Sequence, residues 1–310
     1  GYDDPQFSSF YGQTLPLLKR GIPVELVHME NTPFKDTFNG LQVLVMSYSN
    51  MKPMKSEYHN YMADWVKKGG TLVYCGEDVD PYQTVLEWWN TAGNAYKAPS
   101  EHLFEAMGLS RNPGDGTYRF GKGTVIVMRE DPKHFVLKGG NDRKYFETIV
   151  SAYESKTGKK IEIKNNFMVE RGPYTIAAVM DESSSKEPLK LSGLYIDLFD
   201  KDLPVLTVKQ INPGEQGYLY DLNKVLGKVK AKVLCGASRI YDEKVGKQSY
   251  SFVAKSPLHT TNVSRVLLPR KPGKVLVNGK AEQPEWDESS KTLLLSFEND
   301  PAGVNVSIEW

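Results

Sequence analysis

The chain has 310 residues, of which 40% are hydrophobic and 25% are charged, an ordinary composition for a globular protein. The length predicts two or three domains. The formal net charge of +1 argues against a nucleic-acid-binding protein or an acidic tail. No apolar run is long enough to span a bilayer.

The cysteines and histidines give no pattern of metal ligands. Cys75 and Cys235 fall in segments that we assign to different domains, so no disulfide is expected, and two cysteines are too few for a zinc cluster. The histidines are scattered and form no H-x-x-H pair: His28, His59, His102, His134 and His259. We therefore predict neither a metal nor another cofactor.

The first half of the chain alternates between amphipathic helices and apolar strands. Helices are predicted at residues 7–18, 58–66 and 146–153, with shorter ones within 82–108, and strands at 22–30, 41–49, 71–76 and 123–131. The strand at 41–49 is apolar on both faces, which is typical of a buried parallel strand. This order predicts an α/β domain with a flavodoxin-like parallel sheet over residues 1–158.

This α/β pattern lacks its first strand. A doubly wound sheet starts with a strand, which is central in the flavodoxin-like order, whereas this sequence starts with a loop and a helix. We expect the chain to be the C-terminal part of a longer polypeptide, with the strands at 22–30 and 41–49 flanking the vacant position. These neighbours should leave a gap, pair directly, or accept a strand from another chain.

From about residue 160 the pattern changes to short strands separated by Pro, Gly, Asn and Asp, with weak helical periodicity. This pattern predicts antiparallel β-sandwiches. We favour two modules, at 159–227 and 228–310, the second immunoglobulin-like, over one large sandwich. Within the second module, residues 271–280 predict a hairpin that turns at Asn278 and Gly279.

Ligands of doubly wound sheets bind at the carboxyl ends of the strands. Those ends carry Ser47, Tyr48, Ser49, Cys75, Gly76, Glu77, Asp78, Asp80, Arg129, Glu130 and Asp131. Loops are polar in most proteins, so a structural role is the simpler interpretation of these side chains.

Cys75 occupies the strand end at which several α/β enzymes hold a nucleophile. Such a cysteine needs a base and usually lies on a G-x-C-x-G turn, but here the stretch is VYCGE and the chain contains no H-x-E motif. Nearby acids would also raise the pKa of its thiol. We interpret Cys75 as a vestigial nucleophile position that is buried and catalytically silent.

Aromatic side chains beside the strand ends could stack on sugar rings. Adjacent side chains on a helix point about 100° apart, so one of Trp88 and Trp89 is expected in the core. No spacing of acids singles out a glycosidase pair. The candidate contacts to a sugar or a partner are Tyr48, Glu77, Asp78, Asp80, Tyr82, Trp88, Trp89 and Arg129.

Three stretches carry a family resemblance: YGQTLPLLKRGIPVELV, LQVLVMSYSNMKPMKSEYHNYMADWVKKGGTLVYCG and GEDVDPYQTVLEWWNTAG. The first two resemble the amidotransferase-like trimerisation domain of bacterial β-galactosidases and related glycoside hydrolases. The third resembles the version of that domain in polysaccharide-degrading proteins of gut Bacteroidetes. In the β-rich half, the stretches ERGPYTIAAVMDES, LSGLYIDLFDKDLPVL and PGEQGYLYDL are similar to the accessory sandwich that follows in those proteins. In that family the catalytic carboxylates lie on an upstream (β/α)₈ barrel, which no part of this sequence matches.

The resemblance implies a non-catalytic accessory region of a periplasmic or extracellular glycoside-hydrolase-like protein. Its expected partner is the upstream catalytic domain of the same protein, and carbohydrate binding or homo-oligomerisation is possible, whereas no nucleic acid or membrane is expected. One alternative is a stand-alone carbohydrate-binding protein. A second is a cysteine-dependent amidotransferase-like hydrolase at Cys75.

Overall fold

A computed structural model describes Asp4 and residues 7–139 and 141–310. The chain forms two compact units, Gly1–Lys164 and Asn165–Trp310. The described residues are mostly β-structure arranged in four sheets. None of the described helices is long and apolar enough to cross a membrane.

The first unit contains helices and a four-stranded sheet. Its helices are α1 (Ser8–Leu18), α2 (Glu57–Lys67), α3 (Pro99–Ala106), α4 (His134–Leu137) and α5 (Asp142–Thr157). Its strands are β1 (Val43–Met46), β2 (Thr71–Cys75), β3 (Gly116–Phe120) and β4 (Gly123–Met128).

The strands of this sheet lie in the order β1-β2-β4-β3. The pairs β1–β2 and β2–β4 are parallel, with Val73 opposite both Val45 and Ile126. The hairpin partner β3 adds an antiparallel edge. Because β1, β2 and β4 are parallel and adjacent, their carboxyl ends lie along one edge of the sheet.

Both faces of this sheet are covered by apolar side chains. On one face Leu72 and Tyr74 pack with Met62 of α2 and Phe104 of α3. On the other face a second cluster contains Leu17 of α1, Val73, Cys75, Tyr145 and Ile149. The central strand β2 is consequently buried along its whole length. Burial on both faces explains why the sequence of β2 is continuously apolar.

Some sequence-based predictions for this unit are wrong. Residues 22–28 form neither strand nor helix, and Met29–Asn31 is a single 3₁₀ turn, although a strand was predicted at 22–30. Residues 159–164 also form neither helix nor strand, although the β-rich pattern begins at about residue 160. The pattern also failed to indicate β3, whose side chains are largely exposed and therefore carry little apolar signal.

The second unit is built from antiparallel strands. They are β5 (Asn166–Arg171), β6 (Tyr174–Val179), β7 (Leu189–Asp197), β8 (Val205–Ile211), β9 (Gln216–Asp221), β10 (Lys232–Gly236), β11 (Arg239–Val245), β12 (Ser249–Lys255), β13 (Thr261–Leu267), β14 (Lys274–Val277), β15 (Lys280–Glu282), β16 (Glu285–Asp287), β17 (Thr292–Glu298) and β18 (Val304–Glu309).

Three sheets make up this unit. One has the order β5-β6-β9-β7-β8, and the other two have the orders β10-β13-β17-β16 and β11-β12-β18-β14-β15. Phe252, Leu293 and Ile308 belong to a shared buried core of the latter two sheets. A further cluster joins Ile196 of β7 to Leu267 of β13. The division of this half near Gly227 into two modules stays a prediction.

The hairpin predicted at residues 271–280 is present. Strands β14 and β15 pair with Val277 opposite Lys280. Asn278 and Gly279, which connect them, have φ angles of +48° and +79°. Two consecutive positive φ angles are the mark of a type I′ turn, whose twist matches that of the paired strands.

Gly279→Ala should lower the free energy of unfolding by about 1 kcal/mol, because alanine is strained at a positive φ. The space around Gly279 is open, so no steric clash contributes. Gly273→Ala is the matched control, since Gly273 also has open space and lies outside the positive-φ region. Urea unfolding of the two variants tests this prediction, and equal midpoints would contradict it.

Candidate functional site

The polar side chains that follow β1, β2 and β4 lie at the common carboxyl edge of the parallel strands, as the topology requires. Hydrogen bonds link Tyr48 to α2, and link Asp78 and Asp80 to groups that follow β4 and β1. Each of these polar side chains is therefore hydrogen-bonded to a neighbouring element of the protein.

Cys75 ends β2 and has no solvent exposure. Burial raises the pKa of its thiol far above the ordinary value, and the negative charges of Glu130 and Asp115 raise it further. Its sulfur makes no hydrogen bond to any described residue, so no base is in place to form a thiolate. A thiol in these surroundings packs as a small apolar group.

Asp78 is the centre of a group that we call the Asp78 cluster: Asp78, Tyr74, Ser100 and Arg129. The Tyr74 hydroxyl donates to Oδ1 of Asp78. Ser100 Oγ and Arg129 Nη1 donate to Oδ2 at 2.7 Å and 2.6 Å. Both carboxylate oxygens are thus engaged by protein donors, although Asp78 itself has a positive φ of 60°.

The guanidinium of Arg129 also holds neighbouring loops. Its Nε donates to the carbonyl of Pro113 at 2.9 Å, and Nη1 also contacts the carbonyl of Gly76 at 3.4 Å. The guanidinium carbon lies 5.1 Å from the centre of the Phe104 ring. Arg129 therefore connects the ends of β2 and β4 to α3 and to the loop before β3.

Asp80 is the second engaged carboxylate. Lys52 Nζ and Gln83 Nε2 donate to its Oδ2 at 2.7 Å and 3.0 Å. The backbone N–H of Tyr82 donates to Oδ1 at 3.0 Å, so Asp80 caps the 3₁₀ turn Pro81–Thr84. Asp80 thereby joins the loop after β1 to the loop after β2.

A buried chain of hydrogen bonds runs from Tyr48 through His59 to His102. Tyr48 Oη lies 2.5 Å from His59 Nε2, and the two Nδ1 atoms of His59 and His102 lie 2.8 Å apart. Burial raises the pKa of Tyr48, so its hydroxyl keeps its proton. A neutral His59 ring carries one proton, so it donates to one of these two neighbours and accepts from the other.

Burial also determines the charge of both imidazoles. Burial, together with a smaller repulsive effect of the nearby His102, lowers the pKa of His59 to about 3. Burial likewise lowers the pKa of His102. Sequence reasoning missed this pair, because two scattered histidines on α2 and α3 give no spacing signal.

The two tryptophans lie in a turn-rich segment and not on the predicted helix. Trp89 is buried, and its Nε1 donates to the carbonyl of Gln83 at 3.1 Å. Trp88 is half-buried, and its Nε1 donates to the carbonyl of Pro53 at 2.8 Å. The ring of Trp88 packs edge-on against His59 and His102.

The candidate contacts therefore separate by exposure. Tyr48 and Trp89 are buried. Asp78, Asp80 and Arg129 are mostly buried. Asp78 forms an ion pair with Arg129, and Asp80 forms one with Lys52. Glu77 and Tyr82 remain exposed, and Tyr82 keeps 49% of its surface in solvent. Only these exposed side chains and the free edge of Trp88 could meet a large ligand without rearrangement.

The described residues contain no group of three or more His, Cys, Asp or Glu side chains placed to hold a metal ion. Within the Asp78 cluster the carboxylate is matched by hydroxyl and guanidinium donors. Such an arrangement stabilises loops, since buried charges need partners.

No family model and no curated protein matches the chain. Among solved structures, it is similar to a GH42 β-galactosidase from G. stearothermophilus, with 13% identity, 71% of this chain and 36% of that one covered, and a TM-score of 0.40.

It is also similar to a β-galactosidase from Bacillus circulans sp. alkalophilus, with 11% identity, 70% and 37% coverage, and a TM-score of 0.41. A GH31 dextranase from Flavobacterium johnsoniae has 10% identity, 69% and 38% coverage, and a TM-score of 0.27. The match spans little more than a third of each of these glycoside hydrolases, and the likeness concerns fold alone.

Asp78→Ala should lower the free energy of unfolding by about 3 kcal/mol, because Arg129 would keep a buried charge without its partner. Glu77→Ala is the control: its side chain is exposed, and its effect should stay within about 0.5 kcal/mol. Chemical denaturation measures both. Equal losses in the two variants would show that the Asp78 cluster does not stabilise these loops.

The unfolding free energy should fall as the pH drops below 6.5 towards 3, because His59 resists protonation in the folded state and accepts a proton when unfolded. The slope attributable to this group is about 1 kcal/mol per pH unit. Above pH 6.5 the contribution is fully present.

His59→Gln keeps an amide that can bond to Tyr48 and His102, and it should flatten this pH dependence. His259→Gln is the control, since His259 is exposed in the second unit. Denaturation curves at several pH values compare the variants. If the unfolding free energy of His59→Gln fell with pH as steeply as that of the unaltered chain, the pH dependence would not come from His59.

Proposed function

We propose that this chain is a non-catalytic accessory region of a glycoside-hydrolase-like protein that degrades polysaccharide, and that it supports or oligomerises an upstream catalytic barrel. The sequence resemblance supports this role, with a periplasmic or extracellular location and an amidotransferase-like, flavodoxin-like first domain. The observation that carries the proposal is the state of the strand ends: Cys75 is buried without a base, and Asp78 is engaged by protein donors.

The amidotransferase-like fold is supported by the parallel pairing of β1, β2 and β4. In such a fold the end of β2 is a position for a nucleophile. Here the thiol is kept protonated by burial. The cysteine-hydrolase alternative would therefore need a rearrangement that exposes Cys75 and brings a base to it.

The stand-alone carbohydrate-binding alternative has one observation in its favour, the exposed ring of Tyr82 beside the half-buried Trp88. An exposed aromatic face can stack on the C–H face of a sugar. A single such ring is a weak platform, and the remaining strand-end carboxylates are engaged with the protein.

The direct test measures hydrolysis of p-nitrophenyl glycosides by the isolated chain and by the whole protein that contains it. The isolated chain should show no turnover. The catalytic barrel expressed without this region should lose thermal stability or its oligomeric state. Hydrolysis by the isolated chain would contradict the proposal, and retention on insoluble polysaccharide that is lost in Tyr82→Ala would favour the binding alternative.

Cys75→Ala should leave the activity of the whole protein within about twofold, because a buried cysteine acts as a small apolar residue. Circular dichroism establishes that the variant is folded. A loss of several orders of magnitude in a folded variant would revive the cysteine-hydrolase alternative.

A further inference from the structure

A groove of about 850 Å³ opens beside β1 in the first unit. One wall is formed by residues 21–30 and the other by residues 40–48 and 51–53. Phe10, Thr14 and Leu17 of α1 and Ile149 and Tyr153 of α5 line it as well. The groove therefore lies at the edge of the parallel sheet, between β1 and the segment predicted to be a strand.

Backbone groups on both walls lack partners. β1 pairs with β2 on one side, and no described strand lies on its other side. Within the described chain, the backbone groups of residues 23–27 make no hydrogen bond either. Unpaired N–H and C=O groups facing a common groove are the ordinary template for an added strand.

The groove is apolar above and below the plane of the sheet. Val24 and Val45 pack on the side of Leu17 and Ile149. Leu44 and Met29 pack on the opposite side. A strand in this position would be covered on both faces of the sheet. The side chains that point to either face must therefore be apolar.

The strand β1 is less buried than its neighbour β2, as expected if a strand position beside β1 is empty. All five residues of β2 are buried, whereas Val43, Leu44 and Val45 of β1 are only partly buried. Leu26 on the opposite wall keeps 61% of its surface exposed. A doubly wound sheet places the strand that precedes its first helix between the next two strand positions. The groove lies at that position.

We propose that the groove receives a β-strand from the polypeptide immediately upstream of α1, a proposal that rests on the proposed accessory role of the chain. The strand runs parallel to β1, continues the β1–β2–β4 ladder and reaches across to residues 23–27. It is about five residues long, as strands usually are, and consists of Val, Ile, Leu or similar side chains without charges.

Hydrogen–deuterium exchange at residues 24–27 tests this proposal. The 310-residue chain is compared with the same chain extended by the sequence that precedes it in its gene. Amides of residues 24–27 should exchange about 100-fold more slowly in the longer form, because the added strand would bond them.

In the longer form, Leu26→Glu should make the amides of residues 24–27 exchange about tenfold faster than in the unaltered longer form. The reason is that it places a charge against the apolar strand. Leu86→Glu is the matched control: Leu86 is 80% exposed, lies outside the groove and should change nothing. Both leucines are exposed in the 310-residue chain, so both variants should fold.

Unchanged exchange in the longer form, or a gene with no sequence upstream, would overturn the proposal. Protection of residues 24–27 in the 310-residue chain that grows with protein concentration would overturn it in favour of a second copy. Protection by an upstream strand without any catalytic domain would refute the accessory function and leave this inference standing. An upstream catalytic domain that leaves residues 24–27 unprotected would refute this inference and leave the accessory function standing.

Discussion

The contact between Asp78 and Arg129 is the constraint on which the carboxyl edge of the first unit depends. Two opposite charges meet at 2.6 Å with side chains that keep 9% and 18% of their surface in solvent. Removing charges from water is costly unless hydrogen bonds replace the lost hydration. Tyr74 and Ser100 supply those bonds to the carboxylate. Backbone carbonyls accept from Nε and Nη1 of the guanidinium, whereas its buried Nη2 has no hydrogen-bond partner among the described residues. Both carboxylate oxygens of Asp78 are therefore committed to contacts within the protein.

The sequence pattern predicted those elements whose burial it directly encodes. The helix α2 places Tyr58, Met62 and Val66 on one buried stripe, as its periodicity indicates. The buried strand β2 and the type I′ turn at Asn278 and Gly279 also follow from local composition. In each case the required interaction is either local or made by one continuous apolar segment.

Other features depend on contacts that no local pattern contains. Residues 22–28 have the composition of a strand, but strand formation needs a neighbour for the backbone, and the described chain provides none beside them. The reverse holds for β3, which lacks an apolar pattern because its side chains are largely exposed. It is a strand because its backbone pairs with β4. The His59–His102 contact joins two helices that are distant in sequence, so it becomes visible only in three dimensions.

The groove and the polar edge meet at one place, because the groove also reaches Tyr48 and Lys52. Tyr48 starts the hydrogen-bond chain to His59, and Lys52 pairs with Asp80. In a doubly wound sheet the crevice beside the central strand is the usual ligand position. Because Tyr48 and Lys52 line the groove and also belong to the polar edge, a change at either side chain would affect both features at once.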